Sequence, residues 1–290
     1  MAARPSAGTP GRQSPAPAPS SQSHTKNGRF IFLMTRILLT NDDGIHSDGL
    51  VKLEEALAEV GDVYTVAPAS EMSGASHSLT LARPLRIRQI DERHWTVDGT
   101  PTDCVTLALH KIIPEDERPD ICVSGINHGG NLGDDATYSG TVAGALEATI
   151  LGVPGLAFSL VARENFDFTE AARFAVTAVR KVLQEGLPEG TLLNINIPSR
   201  GEIKGVKVTR QGLKNARPVI SEHIDPRNKP YYWIGEEYFA FNSADGTDYQ
   251  AIEQGYISVT PLKSDMTDHR ALTAIETWNY ISTSEVVQSS

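Results

Sequence analysis

The segment ILLTNDDGIHSDGL, residues 37–50, contains the pattern that decides the fold. The apolar run ILLT is followed at once by two aspartates and a glycine, and leucine and valine then recur at helical spacing over residues 50–60. This order is typical of a buried strand, a polar turn and an amphipathic helix. We therefore expect a strand–loop–helix unit whose loop presents the adjacent carboxylates of Asp42 and Asp43.

The same alternation continues to about residue 200 and predicts the fold class. Strands and helices that alternate, with nearly continuous apolar strands, are typical of a mostly parallel α/β sheet covered by helices on both faces. The further strands are predicted within residues 62–70, 119–127, 155–160 and 191–198. The further helices are predicted within residues 102–113, 139–152 and 168–186.

The two ends of the chain differ from this core, which we assign to residues 34–200. Residues 1–33 are rich in proline, serine and alanine and lack acidic residues, which is typical of a disordered, low-complexity tail. A transit peptide, a dispensable tail and a translation start at Met34 are the interpretations left open. Residues 201–290 contain shorter β-like pieces and a closing helix near 268–280, which predict a β-rich oligomerisation arm.

Composition limits the partners. A formal net charge of −10 argues against a nucleic-acid polymer or an anionic membrane as the main partner. No apolar run approaches the roughly 18 residues that span a bilayer. Cys104 and Cys122 are too few for a disulfide framework and are expected to be buried thiols. We therefore expect a cytoplasmic protein with a small ligand.

Three polar loops are expected to meet at one edge of the sheet. The first holds the aspartate pair, the second is EMSGASHS at residues 71–78, and the third is SGINHGGNLGDDATYSGT at residues 124–141. Each follows a predicted strand, and ligands of open α/β sheets bind beyond the carboxyl ends of the strands. The loops therefore predict one composite site.

The aspartate pair indicates a metal ion, because adjacent carboxylates repel each other. A helix cap explains Asp43 but leaves Asp42 without a role. A hard divalent cation resolves the repulsion, since carboxylate oxygens suit Mg²⁺, Mn²⁺ or Ca²⁺. The alternating acidic pattern of an EF-hand is absent. Gly44 allows the backbone to turn, so that both carboxylates can approach one ion.

The third loop has the features of an anion site. Asn127 and Asn131 lie among several glycines, so the backbone can approach a ligand closely. Residues 139–141, SGT, begin a helix whose free N–H groups and two hydroxyls favour phosphate. An ordinary N-cap is the alternative for these residues. His128 is interpreted as a structural histidine.

Taken together, five ordered blocks resemble the SurE family, the stationary-phase survival proteins, which are metal-dependent nucleoside monophosphate phosphatases. The resemblance covers about residues 35–280 and implies a Rossmann-like core with a swapped C-terminal arm in a homodimer or homotetramer. Gly130 replaces a frequent alanine, and residues 45–50 lack the Ala-Pro of many relatives, but neither change touches an implied ligand. The blocks are ILLTNDDG, VAPASEMSGASHSLTL, VDGTPTDCVTLAL, SGINHGGNLGDDATYSGTVAGALEA and GYISVTPL.

The resemblance also implies the residues of the site. One Mg²⁺ or Mn²⁺ per subunit is expected on Asp42, Asp43, Ser73 and Asn127. The substrate is expected on Asn127, Asn131, Ser139, Gly140 and Thr141. The expected catalytic residues are Asp42, Asp43, Asn131, Ser139 and His269. We interpret His269 as a candidate acid supplied by the arm, and a surface histidine at a helix start is the alternative.

The predicted function is hydrolysis of a phosphate monoester, with nucleoside 5′- and 3′-monophosphates as substrates and short polyphosphate as a further one in some family members. A non-catalytic nucleotide or metal sensor would bind these ligands without releasing phosphate. A structural oligomer would gain no thermal stability from Mg²⁺ or Mn²⁺. A phosphatase specific for polyphosphate or sugar phosphates is the enzymatic alternative.

Overall fold

The computed structural model describes residues 34–214, 216–238 and 244–278. The predicted tail, residues 1–33, lies outside the described residues. The strands are β1 (Arg36–Thr40), β2 (Asp62–Pro68), β3 (Ile87–Gln89), β4 (His94–Val97), β5 (Ile121–His128), β6 (Gly155–Val161), β7 (Thr191–Pro198), β8 (Val206–Val208), β9 (Ala216–Ile224), β10 (Pro230–Tyr238) and β11 (Ile257–Lys263). The helices are α1 (Asp48–Leu57), α2 (Pro101–Leu107), α3 (Gly140–Ile150), α4 (Thr169–Glu185), α5 (Asp248–Glu253) and α6 (His269–Glu276).

The main sheet has nine strands in the order β3-β4-β2-β1-β5-β6-β7-β11-β8. The run from β4 through β7 is parallel throughout, and β3 and β11 pair antiparallel with their neighbours β4 and β7. From β1 the chain adds strands first on one side and then, from β5, on the other. The strand order therefore reverses between β1 and β5, which is the position where ligands bind in such sheets.

Helices cover both faces, as the sequence predicts. Leu53 and Leu57 of α1 are fully buried together with Val179 of α4 in the core on one face. Cys104 of α2 and Cys122 of β5 are fully buried free thiols in the core on the other face. Burying one such leucine contributes about 1.5–3 kcal/mol, so each layer is held mainly by apolar contact.

Part of the predicted arm belongs to the core. β11 pairs with β7, and β8 pairs with β11, so the main sheet extends well beyond residue 200. The sequence-based boundary at residue 200 therefore does not coincide with an edge of the sheet. The physical reason is that β11, with the sequence ISVTPLK, supplies three more buried residues to the sheet. β9 and β10 form a separate antiparallel hairpin.

The helix α1 ends earlier than the glycine that was expected to stop it. Its last residue is Leu57, whereas Gly61 lies four positions further on. A Cβ at Gly61 would lie 2.1 Å from the carbonyl oxygen of Thr35, so the glycine is required by close backbone contact. Within the described residues, no helix has the length and apolar character needed to cross a membrane.

Candidate active site

The loop between β1 and α1 is shaped by Asn41, which is fully buried. Its Oδ1 accepts a hydrogen bond from the N–H of Gly44 (3.2 Å), and its Nδ2 donates to the Gly44 carbonyl (3.0 Å) and the Ser47 hydroxyl (2.7 Å). Gly44 has a φ of 98°, a conformation that glycine adopts without strain. The tight turn places Asp42 and Asp43 at the end of β1, as the sequence predicts.

Asp42 is buried against the start of α3. Only 3% of it is exposed, and the Thr141 hydroxyl donates to its Oδ1 at 2.5 Å. A Cβ at Gly140 would lie 2.7 Å from the Cβ of Asp42, so only glycine fits there. Burial raises the pKa of Asp42 to about 6; the Thr141 hydrogen bond opposes this rise, and the charge of Asp43 adds to it. The ionised carboxylate therefore lacks stabilisation.

Asp43 points instead to the end of β5. Its Oδ2 lies 3.0 Å from His128 Nδ1 and accepts a longer bond, 3.4 Å, from the His128 backbone N–H. The His128 ring packs edge-on against Phe166 and Phe168, with ring centroids 4.8 and 4.9 Å away. His128 is therefore a packed histidine, as expected, and it is also the direct partner of a predicted metal ligand.

Each of the other two predicted ligands is one residue away from a contact with the aspartate pair. Met72, the neighbour of Ser73, donates its N–H to the Asp42 carbonyl at 2.7 Å. The Ser73 hydroxyl itself donates to Glu71 at 2.8 Å. Asn127 precedes His128, and its Nδ2 donates to the Gly129 carbonyl at 2.9 Å. The structure thus brings these two loops to the pair, with both side chains bonded within their own loops.

The loop that carries Ser73 is attached to the helices beneath it. His77 Nε2 lies 2.8 Å from Glu147 Oε2, and the other oxygen of Glu147 accepts from Thr106 at 2.8 Å. The bond with His77, first of all, lowers the pKa of Glu147. Further along, the N–H and hydroxyl of Thr80 donate to Asp103 at 2.9 and 2.6 Å. These buried acceptors fix the loop to α2 and α3.

The donors around the aspartate pair suit a hard cation. Over the described part of the chain, no Lys or Arg forms an ion pair with Asp42 or Asp43, and no group of three or more His, Cys, Asp or Glu side chains is arranged to hold a metal. The predicted set contains only two residues of those types. Its carboxylate, hydroxyl and amide oxygens are ligands that Mg²⁺ and Mn²⁺ accept. The residues therefore fit such an ion.

The start of α3 combines the two interpretations of residues 139–141. The Ser139 Oγ accepts from the Val142 N–H at 3.1 Å, so the N-cap is present. The N–H group of Gly140 has no acceptor within the helix and can bind an anion, whereas the backbone N–H of Thr141 is directed to the Asp42 carboxylate. The Thr141 hydroxyl is likewise directed to Asp42 rather than towards a phosphate position.

Asn131 is held by a network of amides that sequence reasoning missed. Its Nδ2 donates to Ser159 (2.7 Å), its N–H donates to Asn196 Oδ1 (2.8 Å), and its carbonyl accepts from Asn194 and Asn196. Asn194 and Asn196 are fully buried on β7. The signal was present in the sequence, since two asparagines two positions apart in an apolar strand share one face.

His269 is not brought to the site within this chain. It is exposed at the first position of α6, and its Nε2 lies 2.9 Å from Asp265 in the preceding turn. No hydrogen bond or ion pair joins it to another predicted site residue in the described ranges.

Comparisons with known proteins point to one family. The sequence model of the family described as "Survival protein SurE" matches residues 37–218. The chain is similar to the 5'-nucleotidase SurE of Aquifex aeolicus (50% identical over 246 residues, 84% of this chain and 98% of the relative). It is also similar to that of Myxococcus xanthus (49% over 244 residues, 84% and 93%). The crystal structure of the SurE protein from Aquifex aeolicus aligns with a TM-score of 0.75 at 50% identity, covering 83% of this chain and 98% of that one.

Proposed function

The chain belongs to the SurE family, and on this premise we propose that it is a metal-dependent 5′-nucleotidase that releases phosphate from nucleoside monophosphates. One observation supports this most strongly. Two adjacent carboxylates lie where the strand order reverses, one of them buried beside the N-terminus of α3, and no Lys or Arg among the described residues neutralises them. A divalent cation would supply the missing positive charge, and a phosphate would then bind between the cation and the start of α3.

Four residues would hold the ion, one per subunit. They are Asp42, Asp43, Ser73 and Asn127. Mg²⁺ or Mn²⁺ there supplies positive charge that neutralises phosphoryl oxygens and makes water more acidic. The bonds that Ser73 and Asn127 form within their own loops use only their O–H and N–H hydrogens, so the Ser73 Oγ and the Asn127 Oδ1 could still accept the ion.

The chain's own groups orient the substrate and move protons. The N–H group of Gly140 at the start of α3 binds a phosphoryl oxygen. Asn131 keeps one amide hydrogen beside the one that it gives to Ser159, and this hydrogen orients the phosphate. Asp43, held by His128, is placed to accept the proton of the attacking water.

The further substrates, the compartment and the oligomeric state are proposed from less specific features. 3′-Nucleotides and short polyphosphate are further substrates of the same site, because the donors recognise only phosphate. The buried free thiols Cys104 and Cys122 support a reducing compartment, the cytoplasm. The exposed side chains of Tyr232, Trp233 and Ile234 on the hairpin support a homodimer or homotetramer in which they are covered.

A nucleotide panel tests the proposal. Protein treated with EDTA is assayed for phosphate release from 5′- and 3′-nucleotides, short polyphosphate and a sugar phosphate, before and after Mg²⁺ or Mn²⁺ is restored. We expect release from AMP only with metal. Binding of AMP without release would identify the chain as a sensor instead.

A further inference from the structure

Asp248, the first residue of α5, is completely buried and accepts three backbone hydrogen bonds. Its Oδ2 accepts the N–H of Gly133 at 2.7 Å. Its Oδ1 accepts the N–H of Gly212 at 2.8 Å and that of Tyr249 at 2.9 Å. One carboxylate therefore joins two segments that are far apart in the sequence.

The two segments have different places in the fold. Gly133 belongs to the β5–α3 loop, residues 129–139, between Asn131 and Ser139. Gly212 belongs to the hairpin root, which we define as residues 210–214, just before β9. Asp248 thus connects the loop that carries the proposed phosphate contacts to the base of the hairpin.

Further close contacts join the β5–α3 loop to the hairpin root. Gln211 Nε2 donates to the Gly133 carbonyl at 3.1 Å, and Lys214 Nζ lies 2.5 Å from Asp135 Oδ1. A Cβ at Gly133, where φ is +50°, would lie 2.6 Å from the carbonyl oxygen of Gly212. No space remains for the loop to shift towards the hairpin root.

The metal ligands lie outside these contacts. The hydrogen bonds of Asp42, Asp43 and Asn127 go to α3, to His128 and to Gly129, and none of them involves Asp248. A change at Asp248 therefore acts directly on the β5–α3 loop and reaches the ion's ligands only indirectly, through Thr141 and Gly129.

We propose that Asp248 is a positioning residue for substrate phosphate, because it clamps the β5–α3 loop to the hairpin root and so fixes Asn131 and the start of α3. This inference rests on the proposed function. An asparagine at position 248 keeps the shape, but its NH₂ group, which donates hydrogen bonds, faces one of the three N–H groups. The hydrogen bond to that N–H group is lost, and the side chain holds the two segments less firmly.

The test compares Asp248→Asn with wild type in the full-length protein. We expect KM for AMP and the inhibition constant of inorganic phosphate to rise roughly tenfold or more, since small displacements of positioning groups have effects of this size. The Kd for Mn²⁺, measured by calorimetry, should change less than these two constants. Asp245→Asn is the matched control, because Asp245 is exposed three positions earlier and, among the described residues, its carboxylate accepts a hydrogen bond from Gln250 and none from the β5–α3 loop.

Lys214→Met is the second variant and keeps the experiment decisive if Asp248→Asn does not fold. It removes the contact with Asp135 while Asp248 stays intact, and a smaller rise in the same two constants is expected. Unchanged constants in every folded variant, with only a lower Tm, would overturn the inference.

The proposed function is judged separately, on wild type. If wild type releases no phosphate from AMP, that function fails, and the clamp is then judged by calorimetry with inorganic phosphate in the presence of Mn²⁺. Weaker phosphate binding by the variants supports the clamp. Equal binding, or no binding by wild type, contradicts it.

Discussion

Asp42 and Asp43 are neighbours in the sequence but lie in different surroundings. Asp42 is buried beside Gly140 and Thr141, whereas Asp43 is partly exposed and contacts His128. The first carboxylate is therefore expected to be the fixed ligand, and the second is the one that solvent and substrate can reach.

The raised pKa of Asp42 predicts a stability that depends on pH when metal is removed. Its pKa is about 6 in the folded protein and 3.8 ordinarily, so the folded state holds the proton more tightly. The tighter binding of the proton adds about 3 kcal/mol to the free energy of unfolding. This stabilisation is fully present below pH 3.8 and is lost as the pH rises through about 6. The measurement is thermal unfolding in EDTA across this range. Asp42→Asn is the comparison, and it should remove this part of the slope; a slope identical to wild type would contradict the assignment.

The exposed member of the pair predicts a loss of catalysis without unfolding. Asp43→Asn removes a charge that binds the ion and the group that accepts the water proton, so kcat for AMP should fall by more than about 100-fold. The fold should persist, because Asp43 lies outside the apolar core. Asp48→Asn, a nearby exposed acidic residue in α1, is the control and should retain activity. Turnover by Asp43→Asn at the wild-type rate would exclude the mechanism.

At the level of elements, the second polar loop depends on a contact that its own sequence does not reveal. His77 attaches the loop that carries Ser73 to the buried Glu147 of α3. The proposed metal site would therefore depend partly on α3, even though no residue of α3 is expected to bind the ion.

This attachment predicts a change in metal affinity. His77→Ala should raise the Kd for Mn²⁺ roughly tenfold, the usual effect of removing a group that orients metal ligands. His94→Ala is the matched control, because His94 is similarly exposed and pairs with Glu54 away from the site. Both variants should lose some stability on heating. If both have the wild-type Kd, the loop does not need this attachment.

The sequence could predict the features that have a local signal, such as a long apolar run or a pair of like charges. β1, β5 and β7 were predictable because their apolar runs are long, whereas β3 has three exposed residues and α5 only six residues in all, too short for a periodic signal. The aspartate pair was visible as local charge. The direction of the Thr141 hydroxyl and the place of Asp248 depend on tertiary contacts, which no local pattern contains.

At the scale of the whole molecule, the chain described here does not complete the predicted site. His269 contacts Asp265 and lies apart from the aspartate pair. The hairpin and α6 both expose large apolar side chains, including Trp233 and Leu272. In an oligomer that covers these surfaces, we expect His269 to reach the site of a partner subunit.

That arrangement predicts complementation between two inactive variants. His269→Ala should lower kcat roughly 100-fold if the histidine protonates the leaving oxygen. When it is refolded together with Asp43→Asn in equal amounts, half of the dimers are mixed, and each mixed dimer has one site with both groups intact. Roughly a quarter of the sites should therefore recover activity.

Asp42→Asn refolded with Asp43→Asn is the control and should recover none, because both changes affect the same subunit's site. Full activity of His269→Ala alone would remove the histidine from the mechanism, and a mixture that stays inactive would place it in the site of its own subunit.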